Sequence, residues 1–586
     1  MTRLADSTAV LKPHYEIVVI GSGYGGGVSA SRLARAGRQV CLLERGREFQ
    51  PGEYPNRGKQ LRPETQFDLP KRHLGSPSAL FDLRVNDDIN VLLGCGLGGT
   101  SLINAGVSLR VLPRVFKDER WPVEIRREAE STRGGSDDGG WEFRPLNKYY
   151  LEAENMLRPS PYPDHYPKLP KTAALELAAR NAKLPFYHVP INVNFDNLKD
   201  GLNHVGVSQN PCVNCGDCSS GCNYAAKNTL IMNYLPDAKH HGAEIHTEVS
   251  VRYIERRGDQ WIVHCRRLNS GSSVPDPAEV LISADIVILA AGTLGSSEIL
   301  FRSRENGLAL SDALGSTFSG NGDVIGWSYD TEHVINGIGF GNNPPAGRAP
   351  VGPFATGVID ARELHDFLII EGSFPGALSA FLPFPFATAD ELVGKGFESG
   401  FINGIRRTLR VLSSLIRART GAMKNTQSYL AVNQDDSGGR MYLEDDRLRI
   451  SWPGVGNASF VTKSRDALKE ATRVLNGTFI TALKWNKEMT EILLSGHPTG
   501  GCTMSDEAKG GVVNHKGQVY NTASGTDVYK GLYVVDGAIL SRSIGVNPLL
   551  TISAFAERIC HHMAQDYGWT IDYTLPRAAP KSTSPN

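Results

Sequence analysis

The alternation of apolar and polar positions first predicts a βαβ unit near the start of the chain. Tyr15 to Ile20 is a short β-branched apolar run typical of a buried parallel strand, and a glycine-rich segment follows it directly. Small and apolar residues then recur at helical spacing as far as Gly37. A second apolar run, Gln39 to Leu43, leads to Glu44. This order of strand, turn, helix and strand predicts a parallel sheet.

Two later apolar runs predict that the chain returns to this sheet. Asp285 to Ala291 reads as a buried strand followed by a helix from about Leu294, and Leu532 to Val535 precedes Asp536. Between these runs, glycine, proline, aromatic residues and alternating segments increase. We therefore expect an α/β protein with a Rossmann-like, doubly wound parallel sheet and an inserted α+β domain built on an antiparallel sheet. The expected boundaries are 1–319 and 492–576 for the sheet domain, 320–491 for the insertion, and a disordered tail at 577–586.

Composition narrows the class of protein. The 586 residues contain 62 lysines and arginines and 62 aspartates and glutamates, a balance that argues against a nucleic-acid partner. The first fourteen residues carry no apolar stretch of signal-peptide length, and no run reaches the ~20 apolar residues of a spanning helix. We expect a cytoplasmic protein.

The glycines after the first strand predict a dinucleotide site. Gly21, Gly23 and Gly26 have the G-x-G-x-x-G spacing, in which the glycines permit a tight turn, close phosphate approach and helix packing. The amino terminus of the helix offers free N–H groups to a pyrophosphate. Glu44 lies at the end of the second strand, where a carboxylate accepts hydrogen bonds from ribose hydroxyls. The residues alone leave FAD and NAD both open.

Four further segments give the chain a family resemblance. They are Gly94 to Gly106 (GCGLGGTSLINAG), Ala290 to Thr293, Ser495 to Met504 (SGHPTGGCTM) and Val534 to Ile552, and the cysteine-rich block Pro211 to Leu235 adds to them. On these segments the chain resembles the glucose–methanol–choline oxidoreductases, and within them the cholesterol oxidase-like branch.

The resemblance implies FAD as the cofactor. It places the backbone near Val249 at the adenine, and Asp536 and Gly537 at the ribityl chain and isoalloxazine ring. The residues implied to lie along the rest of the cofactor are Gly21, Gly23, Gly26, Glu44, Gly98, Gly99, Ser101 and Asn104. Many relatives link a histidine covalently to the flavin, but Gly94 to Gly106 contains no histidine. We therefore expect noncovalent FAD.

The same resemblance supplies candidate catalytic residues. Oxidation of an alcohol requires a group that holds the hydroxyl and a base that takes its proton. His497 in the H-P-x-G segment and Asn547, which precedes Pro548, correspond to the pair that faces the flavin in the family. The plainer alternative makes them a buried turn histidine and an ordinary turn asparagine.

Glu371 is a candidate for a second base. Cholesterol oxidases of this branch use a glutamate to move a steroid double bond, and Glu371 follows the apolar residues Ile369 and Ile370 within the expected insertion. Burial there would raise its pKa toward a useful value. An ordinary glutamate at a strand end is the competing interpretation.

The cysteines form one local cluster. Cys212, Cys215, Cys218 and Cys222 have the C-x2-C-x2-C-x3-C spacing of ferredoxin iron–sulfur ligands, although Asn223 stands where ferredoxins have proline. Three interpretations stay open: an iron–sulfur cluster that relays electrons from the flavin, a structural zinc site, and reduced cysteines packed in a loop. A relay would make a dehydrogenase, whereas an isolated flavin could reduce dioxygen.

The segment from Phe401 to Arg419 has an amphipathic pattern and contains none of the candidate site residues. From Phe401 to Arg419 the residues Ile402, Ile405, Leu409, Leu412 and Ile416 recur at helical spacing, with arginines along the border of the stripe. The segment Leu378 to Phe386 before it is aromatic and proline-rich. The helix either contacts an anionic membrane transiently or faces the core with solvated arginines.

Three functions follow from these observations. The first is FAD-dependent oxidation of a secondary alcohol on a large apolar substrate, with a 3-hydroxysteroid such as cholesterol as the best candidate and dioxygen or a separate protein as electron acceptor. The second is a dehydrogenase of another apolar alcohol that relays electrons through the cysteines. The third is a flavoprotein electron carrier without alcohol chemistry, which the presence of His497 and Asn547 disfavours.

Overall fold

The computed structural model describes residues 2–5, 10–132, 141–268, 279–341, 347, 349–393, 401–481 and 493–576. The expected disordered tail lies outside these residues. Three sheets of more than two strands organise the described chain: a parallel sheet with an antiparallel hairpin, a six-stranded antiparallel sheet, and a five-stranded sheet between them in sequence.

The parallel sheet is built around the first predicted strand. His14–Ile20 pairs in parallel with Glu279–Leu289 on one side and with Val40–Leu43 on the other. Every residue from Ile17 to Ile20 is buried, as expected for a strand covered on both faces. The full strand order is Gln518–Tyr520, Val528–Val534, Glu279–Leu289, His14–Ile20, Val40–Leu43 and Glu244–His246.

An antiparallel hairpin widens this sheet. Gln260–Arg267 pairs with the amino-terminal half of Glu279–Leu289, and Val249–Arg257 pairs with Gln260–Arg267. Only Gln518–Tyr520 among the other strands runs antiparallel to its neighbour. The predicted Rossmann-like sheet is confirmed.

Helices cover the parallel sheet and are joined by buried ion pairs. Tyr24–Arg35 packs against Tyr234–His240 and against Leu549–Tyr567. Arg32 Nε lies 2.7 Å from Glu557 Oε2 and Arg35 Nη2 lies 2.6 Å from Asp237 Oδ1, so both contacts are also charge-paired. Asn147–Leu157 packs on the last of these helices, and Gly292–Glu305 packs on the hairpin strand Val249–Arg257.

The inserted region forms the antiparallel sheet predicted for it. Its strand order is Thr478–Ile480, Val324–Tyr329, Gln427–Asn433, Phe367–Gly372, Gly357–Ala361 and Phe186–His188. Helices Ser459–Val474 and Pro170–Ala182 pack against it and against each other. The edge strand Phe186–His188 lies within the range that we expected to belong wholly to the cofactor domain. The two parts of the chain are therefore more interleaved than a single insertion at 320–491.

The five-stranded sheet carries the chain from one region to the other. Its order is Leu493–Ser495, Ile89–Gly94, Phe81–Arg84, Thr65–Leu69 and Arg72–Leu74, and the hairpin Arg440–Glu444 with Arg447–Ser451 forms a separate two-stranded sheet. Asp68 receives ion pairs from Arg84, Arg447 and Arg449, which attach that hairpin to the sheet. Leu493–Ser495 ends two residues before His497.

The remaining α-helices are short or lie at the surface. They are Gly58–Leu61, Val123–Ala129, Arg362–His365, Pro383–Val393, Phe401–Ile416 and Gly421–Lys424. Among the described residues, no helix combines the length and the apolar character needed to cross a bilayer.

Candidate active site

A large cavity opens where the carboxyl ends of the parallel strands meet. Ligands bind at this edge in open α/β sheets because the strand order reverses there. The cavity is lined by residues from each predicted segment, including Gly21, Gly23, Glu44, Gly99, Asn104, Val249, His497, Asp536, Gly537 and Asn547. Residues that are far apart in the chain therefore face one space, as the sequence predicted.

The three glycines of the first turn have different surroundings. Gly21 has a φ of +95°, and a Cβ there would lie 2.4 Å from the carbonyl oxygen of Ala290. A Cβ at Gly26 would lie 1.9 Å from the carbonyl oxygen of Gly21, because the helix packs directly on the strand. A Cβ at Gly23 would have no atom within 4 Å. The space beside Gly23 fits a phosphate.

We expect Gly23→Ala to separate folding from cofactor binding. The added methyl group meets no protein atom, so the melting temperature of the apoprotein should stay close to that of the wild type. It should nevertheless weaken FAD binding by at least about tenfold, because it takes the space of a phosphate oxygen. Gly26→Ala is the comparison, and should lower the melting temperature. Equal FAD affinity in Gly23→Ala and wild type, measured by flavin fluorescence titration, would refute this placement.

Glu44 is held in place by three hydrogen bonds from the protein. Its Oε2 accepts hydrogen bonds from the N–H and hydroxyl of Ser22, and its Oε1 accepts one from the N–H of Gly46. Burial raises the pKa of this carboxyl, and the hydrogen bonds oppose that rise. The N–H of Val249 donates to the carbonyl oxygen of Glu44, which ties the predicted adenine-side strand to the ribose-side acid.

The Gly94 to Gly106 segment contributes both lining and support. A Cβ at Gly99 would lie 3.0 Å from Gly23 Cα, so the segment closely approaches the first turn. Gly98 and Ser101 do not line the cavity; the Ser101 hydroxyl donates to the carbonyl oxygen of Gly98 and shapes the turn. Asn104 Nδ2 donates to the hydroxyl of Tyr24. Gly99 and Asn104 therefore line the cavity, whereas Gly98 and Ser101 support the turn behind it.

Asp536 lies in the cavity wall and is held there by three hydrogen bonds. Its carboxylate accepts hydrogen bonds from the N–H groups of Gly292 and Ala538 and from the hydroxyl of Ser296. Burial raises the pKa of Asp536 to about 6. A Cβ at Gly537 would lie 2.7 Å from Thr293 Oγ1, so a larger residue fits there only if Thr293 moves.

His497 and Asn547 meet in the cavity. Asn547 Nδ2 lies 2.9 Å from His497 Nε2, although the two residues are 50 positions apart. Two buried oxygens, Asn104 Oδ1 and Asn547 Oδ1, accept no hydrogen bond from any described residue. Buried polar atoms without a partner are costly, so these oxygens fit a polar ligand in the cavity.

Asp323 is a functional residue that the sequence did not indicate. Its Oδ1 lies 2.8 Å from His497 Nδ1, and its Oδ2 accepts hydrogen bonds from the hydroxyl of Ser495 and the N–H of Gly496. A carboxylate only accepts hydrogen bonds, so Nδ1 of His497 carries the proton and Nε2 keeps its lone pair toward Asn547. The only signal is an acid immediately before the apolar start of the strand Val324–Tyr329, and acids are common at that position in ordinary turns.

The segment that carries Asp323 also fixes the loop before Asn547. Asn321 Oδ1 accepts hydrogen bonds from the N–H groups of Ile544 and Gly545, and Asn321 Nδ2 donates to the carbonyl oxygen of Val546. Asp435 holds this segment from behind, by accepting a hydrogen bond from the hydroxyl of Ser319 and another from the N–H of Gly322. One short segment thus positions both candidate catalytic side chains.

Glu371 is placed differently from the second base that we expected. It is fully buried in the antiparallel sheet and does not line the cavity. Its Oε1 lies 2.9 Å from Lys171 Nζ and accepts hydrogen bonds from Thr172 and Thr356, while Gly357 N–H donates to Oε2. This environment gives Glu371 a structural role and argues against proton transfer to a substrate.

We expect Glu371→Gln to reduce stability and leave catalysis intact. The change leaves the Lys171 ammonium buried without its counter-charge, which costs about 3–5 kcal/mol of unfolding free energy. Urea denaturation measures this cost. The double variant Glu371→Gln, Lys171→Met should recover much of it, since both charges are then absent. A kcat that falls sharply in a folded Glu371→Gln enzyme would restore the catalytic interpretation.

The four clustered cysteines line a second, small cavity together with Lys227. Burial raises the pKa of the Cys212, Cys215 and Cys218 thiols. Across the described residues, no group of three or more histidine, cysteine or acidic side chains is arranged to hold a metal ion. The metal assignment for Cys212, Cys215, Cys218 and Cys222, whether as an iron–sulfur cluster or as zinc, is not supported.

The cysteine loop instead supports the wall of the main cavity. Lys227 Nζ donates to the carbonyl oxygens of Leu102, Asn104 and Cys218. Burial lowers the pKa of Lys227 to about 8. These contacts favour the third interpretation, in which reduced cysteines pack in a loop, and they connect that loop to the carbonyl oxygen of Asn104.

Comparisons with known proteins agree with this geometry. Two family models described as GMC oxidoreductase match residues 140–315 and 441–556. The chain is 27% identical to a cholesterol oxidase of Mycobacterium tuberculosis, over 94% of this chain and 91% of that protein. It is 23% identical to a long-chain-alcohol oxidase of Arabidopsis thaliana, over 94% of this chain and 68% of that protein.

A solved structure extends the comparison to the fold. A fungal aryl-alcohol oxidase superposes with a TM-score of 0.54 at 14% identity, covering 95% of this chain and 100% of that one. Both family models, the matching fold and the cavity that contains the glycine turn and His497 lead to one assignment. The chain belongs to the GMC oxidoreductase family and is an FAD-dependent alcohol oxidoreductase.

Proposed function

We propose that this enzyme oxidises a secondary hydroxyl on a large apolar alcohol, with a 3-hydroxysteroid such as cholesterol as the preferred substrate. The observation that carries the chemistry is the chain of contacts Asp323–His497–Asn547, which presents a base and a hydrogen-bond donor to one cavity. The names of the relatives, a cholesterol oxidase and a long-chain-alcohol oxidase, support an apolar alcohol. The choice of a steroid rests on the cholesterol oxidase similarity over most of the chain.

The cofactor of this reaction is proposed to be noncovalent FAD. Gly21, Gly23 and Glu44 would hold its adenosine diphosphate part, and Gly99, Asn104 and Gly537 would border the flavin. Bound there, FAD supplies an acceptor for the hydride that leaves the alcohol carbon. No histidine occurs in Gly94 to Gly106 to form a covalent link.

The protein side chains handle the proton. His497 Nε2 has its lone pair directed into the cavity and accepts the proton of the substrate hydroxyl. Asn547 Nδ2, now bonded to that nitrogen, donates to the substrate oxygen and stabilises the negative charge that develops on it. The Asp323 carboxylate lies 2.8 Å from Nδ1 and stabilises the imidazolium that forms.

Dioxygen is proposed as the final electron acceptor. The alternative, a dehydrogenase that relays electrons through the cysteines, requires a metal or cluster at Cys212 to Cys222. The described side chains there offer no such arrangement. We therefore expect the purified protein to show flavin absorption without stoichiometric iron or acid-labile sulfide.

An anaerobic titration tests the proposal. Cholesterol added to the oxidised holoenzyme should bleach the flavin band near completion, and air should restore the band with release of hydrogen peroxide. A primary long-chain alcohol should reduce the flavin with a kcat/KM at least about tenfold lower. Faster reduction by the primary alcohol would overturn the steroid assignment, and a flavin that no alcohol bleaches would overturn the function itself. Stoichiometric iron would favour the relay.

A further inference from the structure

The helix Phe401–Ile416 directs apolar side chains to solvent, which is the reverse of an ordinary surface helix. Leu409, Leu412 and Ile416, which share one face by helical spacing, have exposed fractions of 61%, 49% and 81%, and Leu415 beside them is 45% exposed. On the other side Arg410 forms two hydrogen bonds to the buried Asp330. The polar side chain thus points to the protein and the apolar side chains to solvent, so the core-facing interpretation is wrong for the described part of this helix.

The preceding aromatic segment adds to the same apolar surface. Phe381 and Phe384 are 58% and 61% exposed, whereas Phe386 is buried in the core beneath. The helix that begins at Pro383 packs against Phe401–Ile416. We call the exposed set the apolar face: Phe381, Phe384, Leu409, Leu412, Leu415 and Ile416. Exposed apolar patches of this kind mark binding surfaces in proteins that are otherwise well packed.

Exposed basic residues border the apolar face. Gly58 contacts the ring of Phe381, since a Cβ there would lie 2.7 Å from Phe381 Cε2. The residues around Gly58 include the exposed Arg57, Lys59 and Arg62. At the other end, Arg417 directly follows the helix and is exposed. Among the described side chains near Arg410, the exposed acid is Glu332. Basic side chains around an apolar centre match the headgroups and acyl boundary of an anionic bilayer.

We propose that the apolar face docks the enzyme on an anionic phospholipid bilayer, from which it takes its apolar alcohol. The uptake of the alcohol from the bilayer rests on the proposed function, whereas the docking itself does not. A chain whose charges balance overall, 62 basic against 62 acidic residues, has no general attraction to anionic surfaces. The attraction therefore depends on this local arrangement, in which apolar side chains enter the interface and the bordering arginines and lysine meet lipid phosphates.

Vesicle co-sedimentation of the holoenzyme tests the docking. Wild type should sediment with vesicles of phosphatidylcholine and phosphatidylglycerol, and several-fold less with phosphatidylcholine alone. The variant Leu409→Ser, Leu412→Ser, Ile416→Ser should bind the mixed vesicles at least about tenfold more weakly. The matched control replaces three exposed leucines on other elements, Leu151→Ser, Leu281→Ser, Leu364→Ser, and should bind as wild type does.

The outcomes separate docking from catalysis and from self-association. Oxidation of a water-soluble alcohol should be equal in wild type and both variants, while oxidation of an alcohol embedded in vesicles should fall only in the apolar-face variant. Vesicle binding that the apolar-face variant retains would overturn the proposal. Sedimentation velocity showing a wild-type dimer that this variant loses, without vesicle binding, would also overturn it in favour of an interface between copies. Vesicle binding in an enzyme that oxidises no alcohol would refute only the function.

Discussion

Replacement of His497 by glutamine is expected to lower kcat for alcohol oxidation by about 10²–10⁴-fold, the usual range for loss of a general base. Glutamine keeps a polar side chain of similar length but cannot accept and hold a proton near neutral pH. The loss follows from the position of Nε2, which lies 2.9 Å from Asn547 Nδ2 within the cavity. FAD should remain bound, because the described hydrogen bonds of His497 go to Ser495, Asp323 and Asn547 and not to the glycine turn or Glu44.

Stopped-flow reduction of the flavin under anaerobic conditions measures this effect directly. His264→Gln is the matched control, since His264 is buried in a strand, stacks on Tyr253 and does not line the cavity. It should reduce at the wild-type rate. A His497→Gln enzyme that is reduced by alcohol as fast as the control would show that another group removes the proton.

Replacement of Asp323 by asparagine should cost about 10²–10⁴-fold in kcat, although Asp323 does not contact the substrate. The Ser495 hydroxyl and the Gly496 N–H both donate to Oδ2 of this side chain, so the amide oxygen of asparagine will occupy that position. The amide NH₂ then faces His497 Nδ1. This arrangement selects the tautomer with the proton on Nε2, and that nitrogen can no longer accept the proton of the alcohol.

The pH dependence distinguishes this effect from a loss of structure. A tautomer change should lower kcat while KM stays nearly constant, and should alter the pH profile of kcat. Asp237→Asn is the control, because Asp237 is also buried and charge-paired, with Arg35, but does not line the cavity. It should lower the melting temperature without changing kcat. An Asp323→Asn enzyme with the wild-type pH profile would refute the role of Asp323.

Local features of the sequence were sufficient to predict the strand, the turn and the acid of the candidate cofactor site. The strand His14–Ile20, the turn with Gly21, Gly23 and Gly26, and Glu44 lie within about thirty residues, and each obeys a short-range rule of periodicity or turn geometry. The resemblance to the glucose–methanol–choline oxidoreductases added the pair His497 and Asn547, whose side chains meet in the cavity. These predictions needed no knowledge of how distant segments pack.

The cysteine block shows where a local pattern misleads. The spacing of Cys212, Cys215, Cys218 and Cys222 is typical of metal ligands, but spacing does not determine whether four sulfur atoms converge. In the fold these side chains line a small cavity, and Lys227 links their loop to the carbonyl oxygen of Asn104. The same residues therefore support the candidate flavin wall.

Sequence by itself determined the class of fold and the dinucleotide turn, because strand periodicity and glycine geometry are properties of neighbouring residues. The two candidate catalytic residues came from the resemblance to the glucose–methanol–choline oxidoreductases. Tertiary structure alone decided which charges meet. Asp323 pairs with His497 across 174 positions, and Lys171 neutralises Glu371 across 200. It also turned Leu409 and Ile416 outward, although their spacing is equally suited to a core-facing helix. Contacts between distant side chains depend on how sheets and helices pack, and periodicity along the chain does not encode that packing.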